Sequence, residues 1–246
     1  MRREMRSEVR RQVRAQELSS MVPGRLVCPP VREGGAGSCL LETYAALAGR
    51  GEHLFAGLLG GRAPNQWAHY PDDDAIDGAR GYQWFYHSHS PEDRPGSAEH
   101  GHIHLFARRQ LWGRRLRSRS EREFAKLCGD PASDAKTRHL LAIGFDAKGL
   151  PISLFTVNSW VTGDLMLGAE LTMELLSNMA LDTGYPVVDV VVESTVQLCL
   201  PEVRDLMMAR DRSLADHLGP AKLSDETLEL LSEIEIDLDA KLMDQY

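Results

Sequence analysis

Apolar positions recur at helical spacing towards the two ends of this chain and alternate with polar ones in its middle. Residues 2–17 place Met5, Val9 and Val13 four apart among arginines, which predicts one amphipathic helix. The stretch PGRLVCPPVREGGAGS that follows is rich in Pro and Gly and reads as an irregular linker. Ser38 is placed to cap a helix running to about Gly49, and a short second helix near 52–60 ends at Gly60-Gly61. Residues 81–90 and 100–108 are strand-like and separated by the loop composition SPEDRPGSAE. A helix is predicted over 119–128. After it comes a hairpin, HLLAIGFD and LPISLFTVNSW, turning at Ala147-Lys148-Gly149. Further helices are predicted over 169–181 and about 191–210, the second interrupted by Pro201. Ser224 is the expected N-cap of a helix through SDETLELLSEI, and EIEIDLDAKL alternates as a final strand. Strands in the middle with helices on either side predict an α+β fold, an antiparallel sheet flanked by helices. The expected organisation is an N-terminal helix and linker over 1–37, then one domain over 38–246 with a histidine-rich hairpin at about 81–108.

Composition narrows the class. A chain of 246 residues, 43% hydrophobic and 26% charged, is that of an ordinary globular protein. A net charge of −8 argues against a nucleic-acid binder, which needs a broad basic surface. Cys28, Cys39, Cys128 and Cys199 are scattered without a CxxC pair, so buried thiols are expected rather than disulfides or a zinc knuckle. The basic start lacks the apolar core of a secretory signal, and no run of about 18 apolar residues occurs. The cytoplasm is the expected location.

Five of the nine histidines fall between positions 87 and 104, and their spacing matters more than their number. Side chains two apart on a strand share a face. His87 and His89 therefore share one face of the first strand, and His100, His102 and His104 one face of the second. Paired as a hairpin, the two strands bring these imidazoles together, because facing residues lie about 5 Å apart. Imidazole is the commonest metal-binding side chain and suits iron, copper, zinc and nickel. Glu99 is a candidate carboxylate ligand. Its parity puts it on the opposite face unless a bend at Gly101 turns it. Tyr82, Trp84 and Tyr86 fall on the other side of the sheet, as core.

Three other groups can contribute. WAHYPDDDAID, with Asp72, Asp73, Asp74 and Asp77, reads as an acidic turn, and its His69 is the best candidate to join the site. TVNSWVTGD carries Thr156, Asn158 and Trp160 on one parity at a strand end, where polar groups either line a pocket or form a strand exit. The arginine-rich run from Arg108 to Arg122 is expected to pair with the acidic C-terminal tail rather than to bind an anionic substrate.

These segments together resemble an uncharacterised bacterial family, a domain of unknown function. Its pattern is WxHYP (Trp67 to Pro71), YHxH (Tyr86 to His89), EHGHxHLF (Glu99 to Phe106) and a TxxWVTGE-like segment (Thr156 to Asp164), with Asp164 in place of Glu. The likeness spans about 38–212 and brings no activity with it. HGHIHLF is also similar to the alternating motif of histidine-triad nucleotide hydrolases, which implies His102 as the nucleophile on a phosphate. Gly101 and the additional His87 and His89 depart from that motif.

The residues point first to a metal-dependent enzyme with a mononuclear site. The candidate ligands are His87, His89, His102 and His104, with His100, His69 and Glu99 in reserve. The expected ion is a divalent or redox metal, iron before copper or zinc, acting on a small organic substrate by redox chemistry in preference to hydrolysis. The alternatives are a non-catalytic metal-binding or metal-sensing protein and a phosphate hydrolase or transferase of the histidine-triad kind. A homo-oligomer is compatible with the sequence, and a membrane or nucleic-acid partner is not expected.

Overall fold

The structure, a computed structural model, describes residues 35–66, 68–89, 98–219 and 221–243. The N-terminal helix predicted over 2–17, most of its linker and most of the 90–99 loop lie outside the described residues; the end of that linker, from Ala36, is helical.

Six antiparallel strands follow one another in chain order across a single sheet. They are β1 (Tyr70–Asp77), β2 (Tyr82–Ser88), β3 (Gly101–Arg108), β4 (Thr137–Phe145), β5 (Pro151–Val157) and β6 (Leu230–Glu235). The helices are α1 (Ala36–Arg50), α2 (Ala56–Leu59), α3 (Arg109–Trp112), α4 (Arg119–Leu127), α5 (Ser159–Thr162), α6 (Ala169–Ser177), α7 (Pro186–Leu198), α8 (Leu200–Asp216) and α9 (Leu238–Met243). This is the α+β architecture the alternating middle of the sequence predicts.

One face of the sheet packs on helices. Trp84, Tyr86, Ile103, Leu105, Leu141, Ile143 and Leu154 join Leu40 and Leu47 of α1, Leu175 of α6, Val191, Val192 and Val196 of α7 and Val203 of α8 in one core. Each large side chain removed from water there contributes about 1.5–3 kcal/mol. Trp84 and Tyr82 carry polar atoms into this core from β2 and are bonded at those atoms: Trp84 Nε1 donates to Asp189 Oδ1 at 2.9 Å, and the Tyr82 hydroxyl to the Leu175 carbonyl at 2.9 Å.

The turns follow local chemistry. Between β4 and β5, Asp146 Oδ1 accepts the N–H groups of Lys148 and Leu150, and Gly149 takes φ +78°, a region closed to most side chains. Between β1 and β2, buried Asp77 accepts the N–H groups of Ala79 and Arg80.

Several expectations change. The first helix starts at Ala36 with Gly35 as its N-cap, so Ser38 lies inside it rather than capping it. The acidic stretch is no turn but the edge strand β1, whose pairing is interrupted between Tyr70 and Ala75 with Asp74 at φ +56°. Exposed Asp72 and Asp73 on this irregular edge discourage pairing with another strand. The helix over 191–210 is two helices, broken at Cys199, with Pro201 in the first turn of α8, where its missing N–H costs nothing. The segment after Ser224 is not a helix: a 3₁₀ turn at Lys222–Ser224 leads into β6, and 238–243 is helical rather than strand. LELLSEIEI carries both periods, and hydrogen bonding to the open edge of β5 selects the strand.

Candidate metal centre

The site is built on the face of the sheet turned away from the helical core. The β2–β3 register sets His102 opposite His87 and His104 opposite Phe85. The two-residue period then keeps His102 and His104 on one side. Nε2 of His102 lies 2.5 Å from Nε2 of His87 and 3.0 Å from Nε2 of His104. On the other edge of the same ring, Nδ1 lies 2.7 Å from Glu99 Oε1 and 3.3 Å from His89 Nε2. His87, His89 and His102 each offer a nitrogen, all within 4.8 Å of one another, so this three-histidine group could hold a metal ion.

Burial is graded across the cluster. His102 is 3% exposed and His104 1%, whereas His87 and His89 are half-buried, so the cluster opens on the His87–His89 side. Aromatic rings pack around it: Phe155 stands edge-on to His102 at 4.9 Å, and Phe85 lies 5.2 Å from His104.

A fifth imidazole comes from β4. His139 Nε2 sits 3.0 Å from His104 Nδ1, and the ring is 1% exposed. Strict alternation from Ala142, which pairs with His104, sends His139 to the helical face. The register shift between Leu105 and Phe106 adds one residue to β4, pairs His139 with Phe106, and so returns it to the histidine face. Sequence reasoning missed this residue because nothing in HLLAIGF marks the bulge.

Burial also sets protonation. Desolvation, reinforced by His139 and the other neighbouring imidazoles, holds His104 well below the usual histidine range. His139 is pushed down to about 3, by desolvation first and then by the Arg210 cation. Both are neutral at pH 7, the form in which imidazole binds metals.

The other candidates divide. Glu99 reaches the cluster despite its parity: it precedes β3, and its side chain, 4% exposed, lies over Gly144, where a Cβ would come within 2.6 Å of Glu99 Oε2. His100, expected on the histidine face, is exposed, and among the described residues no ring contact or side-chain hydrogen bond joins it to the cluster. The chain is not yet a strand there, so period two does not apply. His69 stacks on Phe85 at 3.8 Å, 6.2 Å from the His87 ring, with Asp74 Oδ1 3.7 Å from its Nδ1; it sits at the rim. Thr156, Asn158 and Trp160 serve as anchors for β6 and the segment before it. Thr156 bonds Ser232, Asn158 Nδ2 donates to the Lys222 and Leu228 carbonyls, and Trp160 Nε1 donates to the Leu228 carbonyl. In the arginine-rich run, Arg115 pairs with Glu174 of α6 and Arg119 with Glu123 of its own helix, in place of the C-terminal tail.

An antiparallel six-stranded sheet with flanking helices and a histidine cluster on the face away from the main helical core defines the class. A family model, a domain of unknown function (DUF6969), matches residues 35–236, and the chain belongs to that family. No curated protein and no solved structure is recognisably similar to it. Among the described residues, no helix is long and apolar enough to cross a membrane.

Proposed function

We propose that the histidine cluster is a mononuclear metal site and that the protein is a metal-dependent enzyme built around it. The observation that carries this reading is the gathering of His87, His89 and His104 around the buried ring of His102. Several imidazoles packed together in a dry interior are costly unless something bonds to their lone pairs, and a cation does so. The donor set is nitrogen with a neighbouring carboxylate. Cys39, Cys128 and Cys199 are buried away from it in the apolar cores or beside them. That set suits non-haem iron, copper or zinc. Iron is the first assignment, with redox chemistry on a small organic substrate entering from the half-buried His87–His89 side. The phosphate-transfer alternative gains nothing from the geometry, since His102 is buried and both its ring nitrogens are engaged.

The burial of His102 and His104 favours a second reading, a non-catalytic metal-binding or metal-sensing protein with a saturated site. Calorimetric titration of chelator-stripped protein with anaerobic Fe(II), Zn(II) and Cu(II) tests the site itself. One ion per chain is expected, lost in the His87→Ala/His102→Ala double variant; no binding of any of the three overturns it. Azide added to the Cu(II) form separates the two readings. A new charge-transfer band reports an open coordination position and supports an enzyme, whereas an unchanged spectrum supports the saturated site.

A further inference from the structure

We infer that Glu99 and His139 are positioning residues, which set the tautomers of His102 and His104 so that Nε2 of His87, His102 and His104 face a single ion. The inference rests on the metal-site reading above and assigns its ligand atoms.

A neutral imidazole has one N–H and one lone pair, and a single ring gives a single ion only one of its nitrogens. His102 therefore binds through Nε2, beside His87 and His104, or through Nδ1, beside His89 and Glu99. Glu99 decides between them. An ionised carboxylate only accepts, so its Oε1 at 2.7 Å from Nδ1 calls for the proton on Nδ1 and leaves the lone pair on Nε2. That lone pair then has two nitrogen neighbours, at 2.5 and 3.0 Å. One lone pair without a proton satisfies two such neighbours poorly; an ion among the three nitrogens satisfies all of them.

His104 repeats the arrangement one strand over. With its Nε2 turned to His102, its Nδ1 meets His139 Nε2 at 3.0 Å, and a proton on Nδ1 makes His139 the acceptor. His139 is itself placed for this by the bulge in β4. A partner on the outer nitrogen of a ligand histidine fixes ring orientation and raises basicity, and its loss typically costs ten- to a hundredfold in metal affinity. His89 also offers a nitrogen within 4.8 Å of those of His87 and His102, but its Nε2 meets His102 at Nδ1, on the Glu99 side, and we assign it outside the triad.

The test is long-range proton–nitrogen NMR on the ¹⁵N-histidine-labelled full chain loaded with Zn(II), with Zn(II) affinities of four variants. The expected spectrum shows a proton on Nδ1 of both His102 and His104. Glu99→Gln is expected to keep one Zn(II) per chain and bind it about ten- to a hundredfold more weakly. His139→Leu should weaken binding similarly, while His139→Gln, whose amide oxygen can accept from Nδ1, should recover most of the affinity. His104→Ala should cost far more than His89→Ala. A proton on Nε2 of either ring in the loaded protein overturns the inference, as does complete loss of Zn(II) in Glu99→Gln, which would make Glu99 a ligand. Those results leave the metal site standing. Failure of the unaltered protein to bind Zn(II) removes this inference, and failure with Fe(II) and Cu(II) as well removes the metal site.

Discussion

The two faces of the sheet share six strands and settle their buried groups by opposite means. The helical face is mainly apolar, and its largest buried polar groups are paired, as when Trp84 Nε1 meets Asp189, while small hydroxyls such as Ser194 and Thr195 of α7 are buried there without a partner among the described residues. The histidine face buries His102, His104 and His139 against one another, with the Glu99 carboxylate beside His102. The first arrangement minimises the free energy of the folded chain. The second raises it in the absence of a further group, which is the usual mark of a functional site. One face should therefore govern stability and the other binding.

Substitutions that strike one face at a time test this division. The largest effect is expected from Trp84→Ala, which opens a cavity and leaves Asp189 short of a donor. It should lose about 3–5 kcal/mol in urea unfolding while the folded fraction keeps its metal stoichiometry. Next is metal removal: at a free-ion concentration of 100 times Kd, loading stabilises by about 2.7 kcal/mol. Calorimetric melting should show that difference in the unaltered protein and not in His102→Ala. Gly144→Ala puts a Cβ into the space of the Glu99 carboxylate and Ser153 Oγ. It is expected to cost about 1–3 kcal/mol and to weaken metal binding, because Glu99 must move. The paired change His104→Leu/His139→Leu removes both partners of a buried contact at once, which is often nearly neutral or stabilising. In metal-free protein it should melt no lower than the unaltered chain, yet bind no ion. The smallest effect, within about 0.5 kcal/mol, is expected from Arg115→Ala, whose ion pair with Glu174 is nearly half-exposed on both sides.

The histidine face was largely legible in the sequence where a regular strand carries it. Period two alone joins His102 to His104, and hairpin pairing brings His87 to them. It fails where the strands are irregular. Glu99 and His100 precede the first residue of β3, so their parity carries no information: Glu99 reaches the cluster and His100 is exposed. His139 depends on an extra residue in β4 that only pairing with β3 reveals. The helical face was readable from its aromatic alternation at Tyr82, Trp84 and Tyr86. The chain after Ser224 was misread because its local pattern suits helix and strand alike, and the β5 edge decides it.

The central claim is that the cell loads this cluster with a metal, and the metal content of full-length, untagged protein tests it most directly. Inductively coupled plasma mass spectrometry on protein purified without added metal should find close to one iron, copper or zinc per chain, absent from the His87→Ala/His102→Ala variant prepared alongside. Equal metal in both proteins, or none in either even after reconstitution, would contradict the account.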